Sequence, residues 1–342
     1  MGLIIDIAAL TANYDALAQM APGARAAAVV KADGYGLGAA HVGRALADHG
    51  VKDFFVATAP EAAFLRAQIG PEPQIFVLSG HMAGETYDNV IPVLNSPEQF
   101  FRHRMMRQGM PFAIQLDTGM NRLGFEPAEF ADLRSEIMAA GPVLVMSHLA
   151  CADEPDHPMN ARQLSVFREM TDRLGVTRSL AATGGILLGP DYHFDLVRPG
   201  VGLYGGMPFA AARRVVDVQL AVIQTRYVAA GESVGYGNTW SATKASQIAT
   251  VAAGYADGLH RNLSSRDGIA QFHLWAEGRP CPVIGRVSMD LLTVDVTGLV
   301  TVPETLELLG PHQSIDQLGD AMGTIGYEVL TSLSHRYPRS TR

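Results

Sequence analysis

Cysteine is scarce in this chain of 342 residues: only Cys151 and Cys281 occur. Two thiols are too few for a disulfide framework, and the count predicts two free thiols in a reduced compartment. Long apolar runs are missing as well. No stretch approaches the roughly 20 residues of a membrane-spanning helix, and the opening MGLIIDIAALTANYDALAQM has no basic segment ahead of an apolar core and cleavage site. Asp6 stands where a myristoylation signal needs Ser or Thr. The start reads as mature sequence, and a cytoplasmic protein with no membrane partner is expected. Charge of one sign never accumulates: 26 Lys and Arg face 34 Asp and Glu, a net of −8. With no basic stripe, nucleic acid is not an expected partner. Repeats, low-complexity tracts and flexible linkers are also lacking.

What is present is an alternation of short, β-branched apolar runs with helix-period segments, the pattern of parallel strands joined by helices. Eight strand candidates lie near residues 26–30, 53–57, 74–78, 90–94, 112–116, 142–147, 179–182 and 194–197. Helical segments such as 38–48, 126–140 and 160–174 fill most of the gaps. Eight such units predict a closed (β/α)8 TIM-type barrel. The connections after the third and seventh candidates are short, so an open doubly wound sheet is the competing arrangement. After about Arg214 the texture changes to β runs separated by Gly, Pro and polar turns. The expectation is an α/β chain with the barrel over 1–214 and a mainly β C-terminal domain over 215–342.

In a barrel of this kind the chemistry collects at the C-terminal strand ends. Strand one ends in Lys31, strand five runs into Asp117 to Arg122, strand six ends in His148, strand seven runs into Thr183-Gly-Gly, and strand eight into Arg198-Pro-Gly200. Lys31 follows four apolar residues, so desolvation favours the neutral amine that Schiff-base chemistry needs. Taken alone it is more often a lysine snorkelling at a strand end. The glycine turns after strands seven and eight, with the Thr183 hydroxyl, offer donors to a phosphate and shift the balance toward function. GYGLGA at 34–39 also satisfies a dinucleotide-binding fingerprint, but Lys-Ala-Asp separates strand from glycine and the next strand ends in Thr58 and Ala59, not an acid. His148, Cys151, Asp153, Asp156 and His157 match no zinc spacing, so no metal is expected.

Several segments carry a family resemblance: VVKADGYGLGA around Lys31, LDTGMNRLGF around Arg122, SHLACAD at His148, VRPGVGLYG at Arg198, VGYGNTW at Tyr236, GYADGLHR at Tyr255, GRVSMD at Met289 and Asp290, and GYEVLTSLSHRYPR at Tyr327. In this order, from about Val29 to Arg339, they resemble the alanine racemases. The resemblance implies a barrel followed by a β domain, with Lys31 carrying pyridoxal 5'-phosphate and acting as one catalytic base. Tyr236 would be the other, lent by a second copy of the chain together with Tyr255, Met289 and Asp290, so a homodimer with shared active sites is implied. Two bases on opposite faces suit racemisation, since a proton taken from one side must return on the other. His148 would link Tyr236 to Arg198, which faces the cofactor's pyridine nitrogen. Arg122 and the Met289 N–H would hold the substrate carboxylate. Tyr35, Thr183, Gly200, Val201 and Tyr327 would hold the phosphate.

Singly, each of these tyrosines and arginines is more often a packing or capping residue than a catalytic one. Their joint occurrence carries the inference. Two departures stand out: Gln115 replaces a lysine that many members carbamylate to orient the arginine, and Ala182 replaces the usual Asn before the phosphate-binding hydroxyl. Serine racemisation or broader specificity on this fold is the alternative substrate reading. Decarboxylation is disfavoured by Arg198, and a non-catalytic carrier made of the barrel alone is disfavoured by the β domain.

Overall fold

The computed structural model describes residues 2–107 and 109–342. The chain divides into two compact units, one comprising Leu10–Tyr204 with Pro208–Ala212, the other taking the chain up to Ala9, Gly205–Met207 and Arg213–Arg342. Strand β1 (Gly2–Ile5) belongs to the second. The barrel unit runs β2 (Arg25–Ala26), β3 (Ala28–Val29), β4 (Asp53–Val56), β5 (Gln74–Val77), β6 (Ile91–Leu94), β7 (Ala113–Gln115), β8 (Leu144–Met146), β9 (Arg178–Ser179) and β10 (Leu196–Val197). All neighbours from β3 to β9 pair in parallel.

Closure comes from the last strand. β10 pairs with β2 in parallel, Val197 against Ala26, and the Arg198 N–H donates to the Ala181 carbonyl just past β9. Since β2 and β3 are one strand interrupted at Ala27, the eight positions read from the sequence close into a (β/α)8 barrel. The strands are short and buried on both faces, as β4 and β6 are at every residue, so apolar runs with little alternation encode them. Helices Ala59–Ile69 and Pro97–Met106 begin at Thr58 and Ser96, whose side chains accept the N3 N–H groups, with Pro in the first turn. No helix follows β5, and only Thr183–Leu187 follows β9. Closure excludes the doubly wound sheet and with it the dinucleotide-binding reading of GYGLGA.

The other unit is built on β11 (Val216–Val228). Antiparallel pairing runs from Ser246–Val251 through Leu292–Asp295, Arg279–Ile284, His273–Ala276 and Thr305–Leu309 to β11, which returns to Ser246–Val251 and closes a ring. Register shifts at Val218/Gln219 and Val222/Gln224 let this one long strand bend between two neighbours. β1 pairs antiparallel with β11, Leu3 against Val218. The first residues therefore join the β unit and not the barrel, because β1 completes its backbone hydrogen bonds on β11. No helix among the described residues is long and apolar enough to cross a membrane.

Candidate active site

Lys31 emerges where β3 ends, and the chain then turns the wrong way. Ala32, Asp33, Gly34 and Tyr35 all have positive φ, from 52° to 64°, a left-handed turn costing about 1 kcal/mol or more at each non-glycine residue. Local bonds hold it: the Gly34 N–H donates to the Val30 carbonyl at 2.9 Å, and the Ala39 N–H to the Asp33 carboxylate at 2.7 Å. The turn leaves the Lys31 side chain half-buried and doubles Tyr35 back into the rim, where it is 6 % exposed. Burial lowers the Lys31 amine from its ordinary value, the positive charge of Arg122 adds to this, and Glu61 opposes it.

Tyr35 stacks on Tyr204 with ring centroids 4.5 Å apart, and the Tyr204 hydroxyl donates to the Val29 carbonyl at 3.0 Å. The Tyr35 hydroxyl ends against Gly200: a Cβ there would lie 2.5 Å from it. Beside it the Thr183 hydroxyl accepts the N–H groups of Gly200 at 3.0 Å and Gly202 at 3.3 Å. Val201, 1 % exposed, continues the loop. Ala182 provides no side-chain cap for the helix that Thr183 begins, so the hydrogen bond of an Asn there is missing. These groups form one cradle of hydroxyls and backbone N–H groups at the ends of strands one, seven and eight.

Arg198, at the end of β10, is 3 % exposed. Its guanidinium donates to the Ser147 carbonyl at 2.7 Å and to the Ser179 hydroxyl, and lies 5.9 Å from the Phe55 ring centroid. Burial pushes it down to about 9, which leaves it charged at neutral pH. Half-buried His148 is pushed down to about 3, by burial first and then by the charges of Arg198, Arg122 and Lys31, so it is neutral.

The loop bearing Arg122 is tied from behind. Asp117 accepts the N–H groups of Gly119, Met120 and Asn121 at 2.8, 3.0 and 3.2 Å. Gln115 donates to the Leu123 carbonyl at 3.2 Å. Its amide thus holds the loop backbone, and the exposed Arg122 guanidinium has no hydrogen bond or ion pair among the described residues. The fully buried Gln163 joins two loops: its amide donates to the Thr118 hydroxyl at 3.1 Å and the His148 carbonyl at 2.9 Å, and accepts the Ala150 N–H at 2.8 Å. Sequence reading missed Gln163, Ser147 and Ser179. The available signal was a glutamine on the apolar stripe of Pro158–Thr171, in line with Leu164 and Phe167.

In the β unit Tyr236 stands on its own turn, 71 % exposed. Tyr255 and Met289 lie together: the Tyr255 N–H donates to the Ser288 carbonyl and the Ala256 N–H to the Met289 carbonyl, both at 3.0 Å. They are 44 % and 51 % exposed. Asp290 pairs with Arg336 at 2.6 Å, and Tyr327 lies half-buried on the helix Gly326–Ser332. Among the described residues no group of three or more His, Cys, Asp or Glu is placed to hold a metal. His157 instead caps Pro158–Thr171 by accepting the Met159 N–H at 3.1 Å. Both cysteines are free, Cys281 buried and Cys151 partly so.

A closed barrel whose rim gathers a half-buried amine, a buried guanidinium, a neutral imidazole and a hydroxyl-lined glycine cradle has the layout of a barrel enzyme with its polar groups collected at one end. The family model for the N-terminal domain of alanine racemase matches residues 5–208, and the model for its C-terminal domain matches 215–341. The chain belongs to the alanine racemase family. It is 59 % identical over 342 residues to alanine racemase from Jannaschia sp. (strain CCS1), covering 99 % of this chain and 98 % of that one. It is 44 % identical to a catabolic alanine racemase from Agrobacterium fabrum, covering 99 % and 91 %. Among solved structures, alanine racemase from Bartonella henselae with covalently bound pyridoxal phosphate superposes with a TM-score of 0.92 at 36 % identity, covering 99 % of both chains. The biosynthetic alanine racemase from Pseudomonas aeruginosa gives 0.90 at 35 %, covering 100 % of this chain and 99 % of that one.

Proposed function

We propose that this protein is a pyridoxal-phosphate-dependent racemase that interconverts L-alanine and D-alanine with two bases, Lys31 and Tyr236. The observation that carries the reading is the one barrel end at which Lys31, Arg198 and the cradle of Tyr35, Thr183 and Gly200 converge. The residues fit the cofactor: because Gly200 has no Cβ, the Tyr35 hydroxyl packs directly against its backbone beside the Thr183 hydroxyl, which brings two hydroxyl groups together where a phosphate would lie. Bound there, pyridoxal phosphate supplies an electron sink that makes the substrate α-proton removable.

Lys31 anchors the cofactor through Nζ and, once released, moves the α-proton on one face; its lowered pKa favours the neutral amine this requires. Tyr236 moves the proton on the opposite face, which inverts the centre. An ordinary phenol near 10 is a weak base, so Tyr236 works through neutral His148 toward Arg198. Arg198, which would face the cofactor's pyridine nitrogen, stays charged at neutral pH and does not readily give up a proton, so that nitrogen would stay unprotonated, which disfavours transamination and decarboxylation. Tyr35, Thr183, Gly200, Val201 and Tyr327 would hold the phosphate. Arg122 and the Met289 N–H hold the substrate carboxylate, with Tyr255 and Asp290 lining the same pocket.

The working unit is a homodimer in the cytoplasm, each copy lending Tyr236, Tyr255, Met289 and Asp290 to its neighbour's barrel. The exposure of Tyr236, Tyr255 and Met289 in the single chain supports this. Relatives described as biosynthetic and as catabolic both match, and the product, D-alanine, suits wall synthesis or alanine breakdown. Purified protein should absorb visible light, and borohydride should fix the label on Lys31; a label on another residue removes the assignment. Incubation with L-alanine, L-serine and L-lysine should give D-alanine fastest. D-serine forming faster would overturn the substrate reading.

A further inference from the structure

Glu61 lies on the first turn of the helix after β4, and its carboxylate is turned back toward the barrel rim. Oε1 accepts the Ala32 N–H at 2.9 Å and Oε2 accepts the Ala57 N–H at 2.7 Å. Ala32 is the residue directly after Lys31 and the first of the left-handed turn, with φ of 52°. Ala57 directly follows β4, the strand beside β3. One side chain thus bridges the turn behind the lysine to the end of the adjacent strand. We propose that Glu61 is the positioning residue for Lys31, fixing the turn that aims the lysine into the barrel and placing a negative charge behind its amine.

The bridge acts on a stretch of backbone that local sterics disfavour. Ala32 has no glycine freedom, so an N–H bond to a charged acceptor at this residue offsets part of the strain and makes other turn conformers less accessible. The carboxylate is held ready for this work: the Thr58 hydroxyl accepts the Glu61 N–H at 3.5 Å, and the start of the helix Ala59–Ile69 favours negative charge. The recess beside Glu61, about 320 Å³, is walled by Val30, Ala39, Val56, Pro60 and Phe64; its one other charged group is Asp33, whose carboxylate accepts the Ala39 N–H, and no lysine, arginine or histidine lines it. Of the charges that shift the Lys31 amine, Arg122 lowers it from the loop after β7, whereas Glu61 raises it. Positively charged His148 would join Arg122, but burial keeps it neutral. Glu61 therefore holds the turn from which the side chain departs and partly offsets the lowering of its amine by burial and Arg122, given that Lys31 is the anchoring base proposed above.

The test uses the full-length protein and two substitutions. Glu61→Gln keeps the size but removes the charge and turns one acceptor into a donor facing an N–H. Glu61→Asp keeps the charge but falls a methylene short of the bridge. Hydrogen exchange of the Ala32 and Ala57 amides should quicken at least about tenfold in both variants, with Gly119 in the Asp117 turn unchanged. In cofactor-free protein, the pH for half-modification of Lys31 by an amine-selective acylating reagent should fall in Glu61→Gln, because loss of the negative charge favours the neutral amine, and should fall less in Glu61→Asp. The acid limb of kcat/KM for alanine should move the same way.

A folded Glu61→Gln protein with unaltered Ala32 exchange and an unaltered modification pH overturns the proposal. If Glu61→Gln does not fold, unaltered Ala32 exchange in Glu61→Asp does so. Borohydride labelling of the wild-type protein is the separate control: a label away from Lys31 sinks the functional reading, while the amide exchange still reports whether Glu61 holds the turn.

Discussion

Gly200 and Tyr35 are fitted to one another: a Cβ on Gly200 would lie 2.5 Å from the Tyr35 hydroxyl. Gly200→Ala must push that hydroxyl out of the cradle, an overpacking that costs about 1–3 kcal/mol. Retention of pyridoxal phosphate, read by equilibrium dialysis, should weaken by about tenfold or more. Gly200→Ala combined with Tyr35→Phe should recover stability, because the clashing oxygen is gone. A double variant as unstable as Gly200→Ala alone contradicts the fit.

Gln163→Leu should destabilise the protein by about 2–4 kcal/mol, since it leaves the buried Thr118 hydroxyl, the His148 carbonyl and the Ala150 N–H without their partner. Urea unfolding measures this. KM for alanine should also rise, because the loop that carries Arg122 loses its tie to the His148 loop. An unchanged midpoint would show that water replaces the amide without cost.

Acid should weaken the fold through two imidazoles. Burial and neighbouring positive charge push His148 from 6.5 to about 3, and burial with His103 beside it pushes His81 to about 4. Both are depressed, so the unfolded chain takes up protons near 6.5 while the native one does not. The stability is fully present above 6.5 and is lost as pH falls toward the folded values. Urea midpoints should therefore decline from neutral pH to about pH 4, and His81→Asn should flatten the decline. The same slope in that variant refutes the His81 share.

The proposed sharing of active sites between two copies makes a mixing test decisive. Lys31→Ala and Tyr236→Phe proteins should each be nearly inactive alone, and unfolding and refolding them together should restore activity in the mixed dimers. Restoration follows only if Tyr236 serves the neighbouring copy; none is expected if both bases belong to one chain.

Arg198→Lys should lower kcat/KM by about ten- to a hundredfold, as an ammonium cannot reproduce the fork held by Ser147 and Ser179. Assays for D-alanine and for pyruvate, run together, should show racemisation falling more than transamination.

Much of this was legible in the residues. Apolar runs ending at Lys31, His148 and Arg198 placed the strands, since each strand of a closed barrel is buried on both faces and needs no alternation to mark it. The glycines after strands seven and eight and the Thr183 hydroxyl pointed to the cradle for the same local reason. The opening strand was not legible: Gly2–Ile5 is too short to declare its partners, and only its pairing with β11 on one side and Arg339–Thr341 on the other places it in the β unit. The role of Gln115 was not legible either, because an amide two residues before Asp117 has several reachable partners, and in the fold it takes the Leu123 carbonyl.

The sequence by itself determined the order of strands and helices, the residues at their ends, and therefore which amine, guanidinium and hydroxyls reach the barrel rim, because burial periodicity and turn chemistry act over a few residues. Tertiary structure alone decided what holds them. Arg198 finds Ser147 across 51 positions, Thr118 finds Gln163 across 45 and Ala32 finds Glu61 across 29. These bonds depend on which strand ends become neighbours when the barrel closes, and no local pattern along the chain records that.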